Sequence, residues 1–142
     1  MIYRLKPAEY SIEVPELSLL QFADILEDDD YSLVRRQSRT NEPLSARWKP
    51  TQCELAPVYR KGLAVPDVSY WGSYLVMTKH AYQVLSKHLA SEGEFLPLAV
   101  SDQAMHIFVP LVFGQEDPSQ TVKHFEDGYE CGLEQLAFVA SD

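Results

Sequence analysis

Long apolar runs are absent from this chain of 142 residues. No stretch approaches the roughly 18 apolar residues that a membrane-spanning helix requires. Cysteine is scarce: Cys53 and Cys131 stand far apart with no CxxC spacing. Two buried or half-buried thiols are therefore expected, rather than a disulfide framework or a metal site. The opening Met1-Ile2-Tyr3-Arg4-Leu5-Lys6-Pro7 has neither the apolar stretch nor the cleavage site of a secretory signal. A cytoplasmic protein is the expectation. Also missing are G-x-G-x-x-G, the P-loop and G-x-S-x-G, the usual marks of dinucleotide, nucleotide-phosphate and serine-nucleophile chemistry.

Basic charge runs out towards the end of the chain. Residues 1–90 hold 11 basic and 11 acidic side chains, which cancel, whereas residues 91–142 hold Lys123 alone against ten carboxylates. The net charge of −9 therefore lies wholly in the last third. Such a field repels nucleic acid and anionic membrane, and it speeds encounter with a basic protein. Neither nucleic acid nor membrane is expected as a partner.

What is present suits one globular domain over 1–142: hydrophobic content of 46% is too high for wholesale disorder. Three parts are expected within it, an irregular strand and helix region over 1–60, a strand–helix–strand core over 66–113 and an acidic part over 114–142. Weak alternation marks a strand at Ile2–Leu5. Apolar residues from Leu17 to Leu26 suit a short helix over about 17–27. The run Glu27-Asp28-Asp29-Asp30 should stop it, because carboxylates oppose the macrodipole at a helix C-terminus. That run reads as solvated surface, since it lacks the alternating ligands and mid-loop glycine of a calcium loop. Residues 31–45, polar and carrying Arg35, Arg36 and Arg39, read as a mobile loop. Pro50 and Pro57 limit any strand between them to about five or six residues.

The most regular block runs from Asp67 to Leu111. Tyr74-Leu75-Val76-Met77 reads as a strand and Thr78 as the N-cap of a helix over about 78–90. Ala81, Tyr82, Val84, Leu85 and Leu89 form its apolar stripe. Gly93 is placed where a left-handed residue past the helix belongs. Phe95 to Val100 is extended, with Pro97 suggesting an edge or an irregular strand. Ala104 to Phe113 is a strand with Met105, Ile107, Val109, Leu111 and Phe113 on one face, and Pro110 suggests an edge or a bulge. Beyond Gly114 a loop passes Asp117-Pro118, then a short helix or strand reaches Phe125, and Leu133 to Val139 is a further apolar segment. The fold class expected is α+β with a mostly antiparallel sheet.

No chemistry stands out. His80 and His88 share a helix face but lie roughly 12 Å apart along it, too far to hold one ion. His124 beside Glu126 and Asp127 is an incomplete ligand set, and His106 is read as capping a core edge or facing solvent. Cys131 sits among Glu126, Asp127, Glu130 and Glu134, surroundings that oppose a thiolate nucleophile. The three arginines 35, 36 and 39 could grip a phosphate, but the acidic run beside them favours internal pairing. No catalytic residue, cofactor or metal is expected.

The block nevertheless has a recognisable pattern. Pro66-Asp67, a turn at Tyr70-Trp71-Gly72, the strand Leu75 to Met77 leading into Thr78 and its helix, Gly93-Glu94-Phe95-Leu96-Pro97-Leu98, and the strand Ile107 to Leu111 follow in order. Together they resemble a family of bacterial immunity proteins from polymorphic toxin systems, long catalogued as a domain of unknown function. A later stretch of that family is matched only faintly, by Tyr129 to Leu136. The resemblance implies a cytoplasmic antidote that binds a toxin delivered between neighbouring bacteria, and it carries no catalytic residue. If the toxin acts on an anionic substrate, its cleft is basic and Glu116, Asp117, Glu126, Asp127, Glu130 and Glu134 are the expected contacts, with Tyr129 as an aromatic anchor. An effector chaperone or adaptor of a secretion system is the alternative expectation, and an enzyme of unknown type the less favoured one.

Overall fold

Residues 8, 12–40 and 42–140 are described by the computed structural model; the strand expected at Ile2–Leu5 lies outside them. The elements are β1 (Pro15–Glu16), α1 (Leu19–Ile25), α2 (Ser32–Gln37), β2 (Thr51–Leu55), α3 (Pro57–Arg60), β3 (Val68–Trp71), β4 (Tyr74–Thr78), α4 (Lys79–Leu89), β5 (Gly93–Val100), β6 (Gln103–Pro110), β7 (Val122–Glu126) and β8 (Tyr129–Gln135). The architecture is α+β, as expected. The chain divides into two compact units, Met1–Leu111 and Val112–Asp142.

In the first unit six strands pair in the order β1-β2-β5-β6-β4-β3. Only β2 and β5 run parallel; the other pairs are antiparallel. The period of two in β6 sends Met105, Ile107 and Val109 to one face, where all three are buried with Leu96, Leu98, Val76 and Trp71. That face is the main core. Helix α1 supplies Phe22 to it, and the Phe22 ring meets Trp71 at 4.9 Å and Tyr74 at 5.8 Å between centroids. The Trp71 indole is satisfied by the Leu17 carbonyl at 2.8 Å, as a buried N–H must be. The opposite face takes α4, which buries Ala81 against Met77 and Phe108 and half-buries Leu85 and Leu89.

The local signals behind α1 and α4 are capping residues. The Ser18 hydroxyl oxygen accepts from the Gln21 amide at 3.2 Å, and the Ser18 amide donates to the Gln21 side-chain oxygen at 2.8 Å, a capping box. Thr78 caps α4 through the Ala81 amide at 3.3 Å. Both helices sit where sequence placed them.

Several expectations are corrected. Residues 31–45 hold helix α2 rather than a mobile loop, and Leu44 is fully buried. The acidic run is not all solvated surface: Asp28 turns inward and its carboxylate accepts the Leu33 and Val34 amides at 3.2 and 2.8 Å. It satisfies the orphan donors at the start of α2. The expected turn at Tyr70-Trp71-Gly72 begins later, because Tyr70 and Trp71 belong to β3 and pair with Leu75 and Tyr74. Gly93 is the first residue of β5 rather than a left-handed cap. It is glycine because of close approach: a Cβ there would run into the Val109 carbonyl oxygen and the Phe108 ring.

The prolines also sit differently. Strands β5 and β6 are interior to the sheet, not edges. Pro97 is tolerated because pairing with β2 starts only at Leu98, and its free carbonyl accepts the Trp48 indole N–H at 2.8 Å. Pro110 is simply the last residue of β6, opposite Gly93.

Candidate interaction surface

The second unit is a two-stranded ribbon. Near its open end Glu116 bridges Phe138, with the Asp117 amide donating to Ala137 at 2.9 Å and the Val139 amide to Gln115 at 2.8 Å. Asp117 is occupied locally: its carboxylate accepts the Ser119 amide and hydroxyl at 2.9 and 2.6 Å, bonds that hold it below the usual carboxylate range. Strands β7 and β8 then close around Asp127-Gly128, both with positive φ, +49° and +83°. Positive φ at both central residues is what a type I′ hairpin turn demands, and Asp-Gly is its strongest sequence signal. The segment expected as a helix or strand reaching Phe125 is thus strand β7.

Register sorts the side chains onto two faces. Lys123, Phe125, Glu130 and Leu133 share one, where the Lys123 ammonium meets the Glu130 carboxylate at 2.8 Å. Val122, His124, Glu126 and Tyr129 share the other. Glu134, beside a ladder irregularity, reaches the same side and contacts His124. There the imidazole lies between two carboxylates, with Nε2 3.2 Å from Glu126 and Nδ1 3.3 Å from Glu134. The Glu126 bond and then the Glu134 bond raise the His124 pKa above the ordinary imidazole value.

The seven residues singled out from sequence therefore do not make one patch. Glu126, Tyr129 and Glu134 come together on one face, Glu130 lies on the other, Asp127 occupies the tip, and Glu116 and Asp117 lie near the open end. Sequence reasoning missed His124 as the centre of the first group and Lys123 as the neutraliser of Glu130. The Asp127-Gly128 turn signal could have placed Lys123 on the face of Glu130 and His124 on that of Glu126, but not Glu134, which the ladder irregularities bring to His124.

None of the described residues from 112 to 140 is buried. Tyr129 is 77% exposed and Phe125 57%. An isolated two-stranded hairpin is at best marginally stable in water, so the ribbon is a surface without a core beneath it. Seven carboxylates against one lysine give residues 112–142 a net charge of −6.

Elsewhere the structure offers less. An open groove of about 360 Å³ runs over Pro50, Gln52, Pro97, Ala99, Ala104 and His106. His106 stacks under Tyr82 with centroids 3.7 Å apart, its Nδ1 is buried without a partner, and burial lowers its pKa. The Cys53 thiol is buried and pushed up to about 11 by desolvation, which makes it a poor nucleophile. Cys131, expected to be at least half-buried, is instead exposed on β8. Among the described residues no three histidine, cysteine or carboxylate side chains converge to hold a metal ion, and no helix is long and apolar enough to cross a membrane.

No family model, curated protein or solved structure matches the chain. What the ribbon can do follows from its chemistry. Ionised carboxylates accept charge-assisted bonds from guanidinium or ammonium groups, and an exposed tyrosine gives rigid contact area at small entropic cost.

Proposed function

We propose that the chain is an immunity protein, a cytoplasmic antidote that binds a toxin from an interbacterial polymorphic toxin system and blocks its active site or substrate surface. The observation that carries this reading is the terminal ribbon, a coreless acidic surface with exposed aromatic residues on a separate compact unit. The order of the Asp67–Leu111 elements supports it through the resemblance described above. Binding, not catalysis, is the task on this reading. Steering by the acidic field would make association fast and salt-sensitive.

The test is co-expression with the toxin domain encoded beside the chain, scoring survival, together with a variant that replaces Glu116, Asp117, Glu126, Asp127, Glu130 and Glu134 by amides. Survival with the natural chain and death with the variant is expected. Poisoning despite the natural chain overturns the reading, and rescue by the amide variant at unchanged affinity removes the ribbon from it.

A further inference from the structure

The two faces of the β7–β8 hairpin differ in a way that selects a binding side. On the Phe125–Leu133 face the single lysine of the unit already neutralises Glu130. On the opposite face Glu126 and Glu134 pair, among the described residues of this unit, with His124 alone, whose charge depends on pH. We propose that the face bearing Val122, His124, Glu126, Tyr129 and Glu134 docks an arginine- or lysine-bearing surface of a partner protein, with the proton on His124 as its competitor. This deepens the toxin-binding reading and rests on it for the partner's identity.

The geometry supplies the competition. A neutral imidazole has one N–H and can donate to only one carboxylate; donating to both Glu126 and Glu134 requires the imidazolium. When His124 is protonated it occupies both carboxylates and cancels one of their two charges. When it is neutral, the pair is free to accept a partner's cation, with Tyr129 beside it as the apolar anchor. The charged groups around the imidazole are Glu126 on its own strand and Glu134 on β8, while Lys123 and Glu130 close on each other across the other face. A second copy of this chain is the disfavoured occupant, because it would bring together two units of net charge −6.

The sign is fixed by this scheme. Affinity for a cationic surface is highest above the raised His124 pKa and falls as pH drops through it. The probe is a hexa-arginine peptide titrated into the ¹⁵N-labelled full chain at about pH 8 and about pH 5.5, the range an imidazole spans. Expected are shift changes centred on Glu126, Tyr129 and Glu134, with binding about two- to fivefold weaker at the lower pH, the scale of one exposed ion pair. His124→Gln should abolish that pH dependence, Glu126→Gln with Glu134→Gln should abolish the localised binding, and Glu130→Gln should leave it. Changes scattered over the acidic residues of the first unit, changes on the Phe125 face, a dimer seated on the Tyr129 face, or a pH dependence that survives His124→Gln would each overturn the proposal. A toxin domain that is neutralised without moving these signals overturns the face but keeps the antidote reading; localised peptide binding with no rescue of poisoned cells does the reverse.

Discussion

The first unit buries an apolar core, although Leu19 and Leu20 on α1 stay exposed, and the second buries none of its described residues. Val14, Leu26, Val100, Ile107 and Val109 are fully buried in the first, where the sheet has a helical covering on each face. In the second, Val122, Phe125, Tyr129, Leu133 and Leu136 are each more than two-fifths exposed, and β7 and β8 pair only with each other. Burial supplies the dominant favourable term in folding, and the buried apolar residues all belong to the first unit.

The sharpest way to break this contrast is to damage each core in turn. Ile107→Ala leaves a cavity at the centre of the sheet and should cost about 2–5 kcal/mol in chemical denaturation. Gly93→Ala should cost about 1–3 kcal/mol by overpacking, since the new methyl meets β6 backbone and the Phe108 ring. A near-neutral result there would mean that β5 and β6 can separate at that end. Phe125→Ala should change stability by no more than about 0.5 kcal/mol, as for other exposed sites; a larger loss would reveal a hidden core in the ribbon. The smallest effect is on pH. His124 has a raised pKa, so its pairing with Glu126 and Glu134 stabilises the hairpin below the unfolded imidazole pKa and is lost as pH rises through the folded value. Hydrogen exchange of β7 and β8 amides should therefore quicken over that interval beyond its intrinsic pH trend, and His124→Gln should remove the excess.

The same contrast decided what could be read in advance. Strand β4, helix α4 and strand β6 were legible because their signals are local: a period of two, a Thr78 cap and an apolar stripe. Helix α2 was not, because its polar surface hides a start set by Asp28, a carboxylate several residues away that reads as solvent-facing until the chain folds back. The role of Gly93 depends on β6 lying against it, a long-range fact. Strands β7 and β8 were obscured by two irregularities in their ladder, which break the alternation that pattern reading relies on. The carboxylates were found by charge alone, which named the residues but could not sort them onto faces.

If the β7–β8 ribbon is the binding surface proposed above, hydrogen exchange of the full chain, free and bound to a cognate toxin domain, shows it most directly. Expected is strong protection of β4, β5 and β6 in both states, with protection gained on binding between residues 122 and 135. Protection gained instead on the strands or helices of the first unit, with β7 and β8 unchanged, would contradict it.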